Sequence, residues 1–286
     1  MKKNQILALA GAACMSIALL AGCGGNSNSN SSEPSTGDNS GAAALSGTVA
    51  TGGSTSMQKL MSMLQEDFMA KNGDVTVTYD PTGSGAGISG ASDGSLDIGL
   101  SSRGLHDDET DVEAITVCLD GIAIVTNTAN PVTDLSLDQL AAIFSGEITD
   151  WSEVGGNAGQ IVVIGREAGS GTRDGFESIV GVEDVCVYAQ ELTATGAVTA
   201  AVASNENAIG YASLSAVDES VNSVAVDDVA CTEETVKDGS YAVQRPFNFV
   251  IKKDAELSEA AQAFITYVTD GSANEWILEA GCVPVA

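Results

Sequence analysis

The chain has 286 residues, of which 44% are hydrophobic and 5% aromatic, and this length allows two domains with cores of their own. Its formal net charge of −28 argues against nucleic acids and anionic membrane surfaces as partners. An anionic ligand is not excluded, because surface carboxylates are screened within roughly 10 Å at ordinary ionic strength.

The N-terminus has the features of a secretion signal. Two lysines precede an apolar stretch at 6–20 that is too short to span a membrane comfortably as a mature helix. It ends in Leu20-Ala21-Gly22-Cys23, which resembles the lipobox of bacterial lipoproteins, in which the cysteine carries the lipid. We therefore predict a lipoprotein signal peptide at 1–22 and lipidation of Cys23, with a plain signal peptide as the alternative. Because Gly, Ser and Asn dominate the next stretch, we predict a flexible tether at 23–45.

Four cysteines remain in the part expected to fold, and the chain has one histidine, His106. The wide spacing of Cys118, Cys186, Cys231 and Cys282 is unlike a zinc site, so we expect neither a metal nor another cofactor. Outside the membrane these thiols could pair, and buried free thiols are the alternative. His106 lies beside three acidic residues and is expected to be a solvated surface residue.

Three segments in the first part of the chain are predicted to be a strand followed by a loop rich in glycine and hydroxyl groups. The strands are expected at 48–50, 75–79 and 96–100, and apolar residues from Met57 to Phe68 recur at helical spacing after the first loop. The loops contain Gly53-Ser54-Thr55-Ser56, Gly83-Ser84-Gly85-Ala86-Gly87 and Ser101-Ser102-Arg103.

A fourth segment of this kind follows at 160–180. A β-branched run at 160–164 predicts a buried strand, and the loop Arg166-Glu167-Ala168-Gly169-Ser170-Gly171-Thr172 leads into a helical pattern with Ser170 or Thr172 as its N-cap. The start of a helix binds anions through unpaired amide groups and its dipole, and an arginine adds a full charge. Because ligands gather beyond the carboxyl ends of strands in open α/β sheets, we expect the four loops to form one anion site. The dinucleotide and phosphate-loop signatures are missing, which disfavours a nucleotide.

Two apolar segments, 115–125 and 245–251, are predicted to be strands that pass between domains. Further helices are expected at 137–144, 194–203, 257–269 and 273–280, a short strand at 208–212, and a loop at Trp151.

Taken together, residues 46–286 resemble the phosphate-binding lipoproteins of bacterial high-affinity phosphate ABC importers. The segments that carry this resemblance are Gly53–Ser56, Gly83–Gly87, Asp97–Arg103, Phe144–Trp151, Arg166–Thr172, Ile209–Tyr211 and Arg245–Phe247. The resemblance implies an α/β protein with the type II periplasmic-binding-protein fold, in which two α/β domains are joined by two crossing hinge strands. We place domain 1 at 46–125 and 246–286, and domain 2 at 126–245.

The resemblance also implies inorganic phosphate as the ligand, ABC permease subunits as partners and a lipid-anchored position on the outer face of the cell membrane. No nucleic-acid partner is expected, and the protein is expected to be a monomer. The implied phosphate-binding residues are Thr55, Ser56, Ser84, Ser102, Arg166, Ser170, Gly171 and Thr172.

Ser102 is a departure from this family pattern, because well-studied relatives have an aspartate there that accepts a proton from phosphate and repels sulfate. A hydroxyl group donates as well as accepts, so it discriminates less. The acceptor role is then weaker, or it falls to Glu167 or Asp174.

Three other functions remain as alternatives. The first is binding of another oxyanion such as sulfate, molybdate or arsenate. The second is a hydrolase such as a phosphatase, which is disfavoured because no nucleophile with a base and no clustered metal ligands are recognisable. The third is a surface lipoprotein without a transport role. We expect a binding protein and not an enzyme.

Overall fold

The computed structural model describes residues 44–285, so the predicted signal peptide, Cys23 and nearly all of the predicted tether lie outside the described residues. The strands are β1 (Ser46–Gly53), β2 (Asp74–Asp80), β3 (Ile98–Ser101), β4 (Val112–Asn127), β5 (Asp134–Leu135), β6 (Val162–Arg166), β7 (Gln190–Leu192), β8 (Ala208–Ser213), β9 (Val221–Val226), β10 (Gln244–Lys252) and β11 (Val283–Pro284). The helices are α1 (Gln58–Lys71), α2 (Ser84–Asp93), α3 (Leu137–Phe144), α4 (Gly171–Val180), α5 (Thr195–Ala203), α6 (Glu233–Lys237), α7 (Glu259–Thr269) and α8 (Asn274–Glu279).

The predicted strands and helices are found close to their expected bounds. In α1 the predicted apolar stripe is buried, through Leu60, Met61, Leu64 and Phe68. The prediction of a loop at Trp151 is wrong, because this residue begins a short 3-10 helix. The carboxylate of the preceding aspartate accepts from a first-turn amide there and caps the helix start.

The strands pair into one sheet with the order β2-β1-β3-β10-β4-β8-β6-β7. On one side β2, β1 and β3 are parallel, and on the other side β8, β6 and β7 are parallel. The two sides are joined through the long strands β4 and β10, which pair antiparallel to each other. Of the strands that precede the hydroxyl-rich loops, β1, β2 and β3 are parallel neighbours, so their loops emerge at the same edge of the sheet, and β6 precedes the loop of the other side.

The hydrophobic residues form two main cores, and we call the parts built on them the first and second lobe. The first core draws on β1–β3, α1, β10, α7 and α8, and the second on β6, β8, β9 and α3–α5. Along β4 the core changes between Cys118 and Ile122, and near the start of β10 it changes between Val243 and Phe247. The chain therefore passes from one core to the other along β4 and β10, the two strands predicted to cross.

Several surface and thiol features also follow from the described residues. Within 44–285, no helix combines the length and hydropathy needed to cross a bilayer. His106 is exposed, as predicted. The four cysteines of this part are free thiols, and burial raises the pKa of Cys186 to about 11 and that of Cys231 to about 12.

Candidate functional site

The loop after β1 places three hydroxyl groups side by side in the first lobe. Gly53 has a φ of 133°, and a side chain there would meet the Leu100 carbonyl oxygen at 2.2 Å, so only glycine fits. The Ser54 amide then donates to the same Leu100 oxygen at 2.8 Å. This turn leads directly into the 3-10 helix that begins at Thr55, and Ser54, Thr55 and Ser56 are all buried.

One group of hydroxyls joins three loops of the first lobe. The Ser102 hydroxyl lies 2.8 Å from the Ser54 hydroxyl and 3.1 Å from that of Ser84, the first residue of α2. The Ser102 amide also donates to the Ser84 oxygen at 3.1 Å. Gly171 of the second lobe closes over this group, since a Cβ there would lie 2.5 Å from the Ser84 oxygen. The close packing of the two lobes therefore requires a glycine at position 171, which is one of the predicted site residues.

A second group of hydroxyls spans the two lobes. The Ser56 hydroxyl lies 2.7 Å from that of Thr172 in α4. The Thr195 hydroxyl, at the start of α5, lies 3.1 Å from both the Thr55 and the Ser56 hydroxyls. Arg166 donates to the same Thr195 oxygen through Nη1 at 3.2 Å. We call these two groups together the hydroxyl cluster.

Arg166, the last residue of β6, presents one edge of its guanidinium to this cluster and is only 1% exposed. Its other nitrogens donate to the Glu167 carboxylate, at 3.1 Å from Nε and 2.9 Å from Nη2. Carbonyl oxygens of Leu192 and Thr193 accept from it as well. Groups of the second lobe thus hold the guanidinium in one orientation.

The two carboxylates considered as acceptors are both engaged by arginines. Glu167 pairs with Arg166, as described, and Asp174 Oδ2 lies 2.9 Å from Nε of Arg103. Burial raises the pKa of Asp174, and the positive charge of Arg103 opposes this effect. In the described residues, the groups that face one another in the cluster are hydroxyls and a guanidinium.

The structure brings together most of the predicted site residues. Those that contact the cluster are Thr55, Ser56, Ser84, Ser102, Arg166, Gly171 and Thr172. Ser170 is buried next to them and is the N-cap of α4, where its oxygen accepts from the Arg173 amide at 3.4 Å. Because the Ser170 oxygen accepts this bond, the Ser170 hydroxyl hydrogen is free to donate to another group.

Sequence reasoning missed Ser54 and Thr195 as members of the cluster. The sequence does carry a signal for Thr195, because Thr193-Ala194-Thr195-Gly196 places hydroxyls and a glycine at the start of an alanine-rich helix. The preceding strand β7 is short and polar, so it did not show as a strand. Thr195 is buried, and α5 starts without a side-chain cap.

A buried ion pair lies behind the cluster, on the two crossing strands. Asp120 of β4 and Arg245 of β10 are directly opposite each other, with Oδ2 3.0 Å from Nη2. Ser213 at the end of β8 donates to Asp120 at 2.7 Å, and Arg245 donates to the Ser102 carbonyl oxygen at 3.3 Å. The pair therefore touches both lobes, and sequence reasoning did not assign it a role.

These groups suit a small oxyanion enclosed between the lobes. Hydroxyls, first-turn amides and a guanidinium all donate to negative oxygens, and burial strengthens each of these bonds. A cavity of about 610 Å³ is lined by Arg103, His106, Asp174 and Arg245, among others, but by none of the side chains of the cluster. Among residues 44–285, no group of three or more His, Cys, Asp and Glu side chains is arranged to hold a metal ion.

Comparisons with known proteins point in one direction. A family model described as a PBP superfamily domain matches residues 38–272. The phosphate-binding protein PstS of Bacillus subtilis is 30% identical over 300 residues, covering 100% of this chain and 95% of that protein.

Solved structures of two relatives are similar in fold to this chain. The crystal structure from Clostridium perfringens described as a phosphate ABC transporter substrate-binding protein with bound phosphate has a TM-score of 0.81 and 40% identity, covering 84% of this chain and 100% of that one. An ABC-type phosphate transport receptor from Vibrio cholerae has a TM-score of 0.69 and 35% identity, covering 82% and 99%. The predicted type II periplasmic-binding-protein fold is thereby confirmed.

Proposed function

We propose that this chain, which belongs to the phosphate-binding proteins of the PBP superfamily, captures inorganic phosphate between its lobes and delivers it to an ABC permease. The observation that carries the proposal is the hydroxyl cluster, in which buried hydroxyls of both lobes lie together and one of them, that of Thr195, contacts Arg166. The relative from Clostridium perfringens, which has bound phosphate, supports the same ligand. Capture and release without turnover suit a site that presents hydroxyls and a guanidinium to its ligand.

The proposed phosphate ligands come from both lobes. The first lobe supplies Thr55, Ser56, Ser84 and Ser102, and the second supplies Arg166, Ser170, Gly171 and Thr172. Because these donors surround one point only when the lobes are together, phosphate binds the closed arrangement better than an open one. Binding therefore favours closure, and a permease can distinguish a loaded protein from an empty one.

The proposed domains follow the two cores. We propose 46–125 with 246–286 as one domain and 126–245 as the other, with hinges in β4 and β10. The change of core along β4 and near the start of β10 supports a division into two domains with hinges in these strands. Hinge bending is then expected around Asp120 and Arg245.

The proposed location is the outer face of the cytoplasmic membrane. Cleavage before Cys23 and lipidation of its sulfur would anchor the protein there, and residues 23–45 would serve as the tether. The glycine- and serine-rich composition of that stretch supports a tether that lets the folded part reach a permease. We propose that the protein acts as a monomer.

Titration of the soluble protein with phosphate is the direct test of this function. We expect saturable binding in calorimetry and a rise in the unfolding temperature, since a ligand at 1,000 times its Kd stabilises by about 4 kcal/mol. Sulfate, molybdate and arsenate are titrated in parallel, and a phosphate monoester is assayed for hydrolysis. Tighter binding of sulfate or molybdate would assign a different oxyanion, and turnover of the ester would overturn the proposal of a binding protein.

Selectivity is expected to depend on Ser102. In Ser102→Ala we expect phosphate affinity to fall by about tenfold, because a buried hydroxyl that contacts Ser54 and Ser84 is lost. The preference for phosphate over sulfate should shrink, since Ser102 is the hydroxyl at the position of the family's acceptor. Competition calorimetry of both anions measures this, with Ser62→Ala, on the exposed side of α1, as the control. An unchanged preference in Ser102→Ala would rule Ser102 out as the discriminator.

A further inference from the structure

Arg103 and Asp174 form a charged contact between the two lobes, outside the proposed ligand set. Arg103 follows β3 in the first lobe, and Asp174 lies in the first turn of α4 in the second lobe. Nε of the arginine is 2.9 Å from Oδ2 of the aspartate. Since the two residues belong to different lobes, this contact can exist only when the lobes are together.

The arginine is fixed within its own lobe before the contact forms. Its Nη1 and Nη2 donate to the two oxygens of Glu109 at 2.8 and 2.7 Å, a two-pronged bond that sets the plane of the guanidinium. Its carbonyl oxygen accepts from Ser101 and from Asn248 of β10. Nε makes no hydrogen bond within the described residues, so the first lobe meets Asp174 with a preset positive charge and not with a directed bond.

The aspartate is fixed to the helix start that carries the second lobe's donors. Its amide donates to the Ser170 carbonyl oxygen at 3.0 Å, so Asp174 and the donors Gly171 and Thr172 share the first turn of α4. On the opposite side, Ser102 directly precedes Arg103. A force between Arg103 and Asp174 therefore pulls two ligand loops toward each other.

We propose that Arg103 and Asp174 are positioning residues, which lock the Ser102 loop onto the start of α4 when phosphate closes the lobes. This proposal rests on the proposed function. The aspartate side chain is 31% exposed beside the cavity described above, so water and salt reach the pair and its strength is moderate. The pair is expected to slow phosphate release more than it speeds capture, because it forms only after closure.

The direction of the change in an Asp174→Asn variant distinguishes this role from a simple charge effect. A carboxylate near an anion site repels the anion, so its removal alone would tighten phosphate binding. Loss of the lock weakens binding instead. We expect Asp174→Asn to bind phosphate about three- to tenfold more weakly, with a matching rise in the release rate.

Glu191→Gln is the matched control. Glu191 pairs with Arg173 at 2.9 Å entirely within the second lobe, so the variant removes the same charge without touching the contact between lobes. Calorimetry gives the affinities, and stopped-flow fluorescence gives the release rates, at low and at high salt. The difference between wild type and Asp174→Asn should shrink at high salt, and Glu191→Gln should match wild type.

Two further variants make the test decisive. Asp174→Glu keeps the charge and should recover most of the affinity. In Arg103→Gln the partner is lost, so adding Asp174→Asn to it should cause no further loss. Additive losses, or an Asp174→Asn variant that binds as tightly as wild type or more tightly, would overturn the lock while leaving phosphate binding intact. A wild-type protein that does not bind phosphate would overturn the proposed function, and the lock with it.

Discussion

Replacing Arg166 with alanine is expected to abolish phosphate binding at the phosphate concentrations that saturate the wild-type protein. Removing one partner from a buried charged hydrogen bond costs about 2–5 kcal/mol, which corresponds to a loss of roughly 30-fold to several thousand-fold in affinity. The upper part of this range is expected here, because Arg166 is the guanidinium that contacts the hydroxyl cluster and is 1% exposed. Calorimetric titration of the variant with phosphate measures the loss.

Two controls separate the loss of charge from damage to the fold. Arg166→Lys keeps the positive charge but loses the planar guanidinium, so its affinity should be intermediate. Glu167→Gln removes one of the groups that orient Arg166 but keeps the guanidinium itself. Circular dichroism and the unfolding temperature show whether each variant folds. A folded Arg166→Ala variant that binds phosphate as wild type does would show that Arg166 is not a ligand.

The sequence was most informative where chemistry and local backbone requirements coincide. A strand, a glycine that permits an unusual backbone angle and a run of hydroxyls are all local features, as at Gly53–Ser56. The start of α4 shows the same coincidence, since Ser170 is the N-cap and Gly171 must lack a side chain. The common location of such loops then follows from the general rule that ligands gather at the ends of parallel strands.

The Thr195 loop shows where this reasoning ends. Its strand β7 has the sequence Gln190-Glu191-Leu192, which lacks the β-branched or alternating pattern that indicates a strand. The loop reaches the cluster because β7 pairs with β6 next to Arg166, and this pairing is a tertiary fact. Hydroxyls alone, without a recognisable strand before them, are too common to predict a site.

Asp120 shows a second kind of limit. Asp120-Gly121 interrupts the apolar run at 115–125, and both residues lie inside β4, as the predicted strand requires, but the sequence gives no reason for either residue. The glycine is explained by close packing, since a side chain there would meet the Cys231 sulfur at 2.4 Å. The aspartate is explained by Arg245, which is opposite it in the sheet but 125 residues away in the chain. A local pattern carries no information on such a partner.

Removing this ion pair's negative charge is expected to destabilise the protein strongly. Asp120 is 0% exposed, and in Asp120→Asn the buried guanidinium of Arg245 would lose its counter-charge. Breaking a buried pair in this way costs about 3–5 kcal/mol in the free energy of unfolding. For a chain of this size, the unfolding temperature should fall by roughly 6–20 °C, which differential scanning calorimetry measures without phosphate.

Comparison with two other variants tests the cause of that loss. Glu191→Gln breaks a pair whose carboxylate is 51% exposed, and it should change the free energy of unfolding by less than about 1 kcal/mol. Asp120→Asn combined with Arg245→Met removes both charges and should be more stable than Asp120→Asn alone, because no buried charge is left unpaired. If the double variant instead loses, relative to Asp120→Asn, as much unfolding free energy as Arg245→Met alone loses relative to wild type, the two residues do not act as a pair. A cooperative result would show that Asp120 and Arg245 stabilise the protein as a pair, at a place where Ser213 donates to Asp120 and Arg245 donates to the Ser102 carbonyl oxygen.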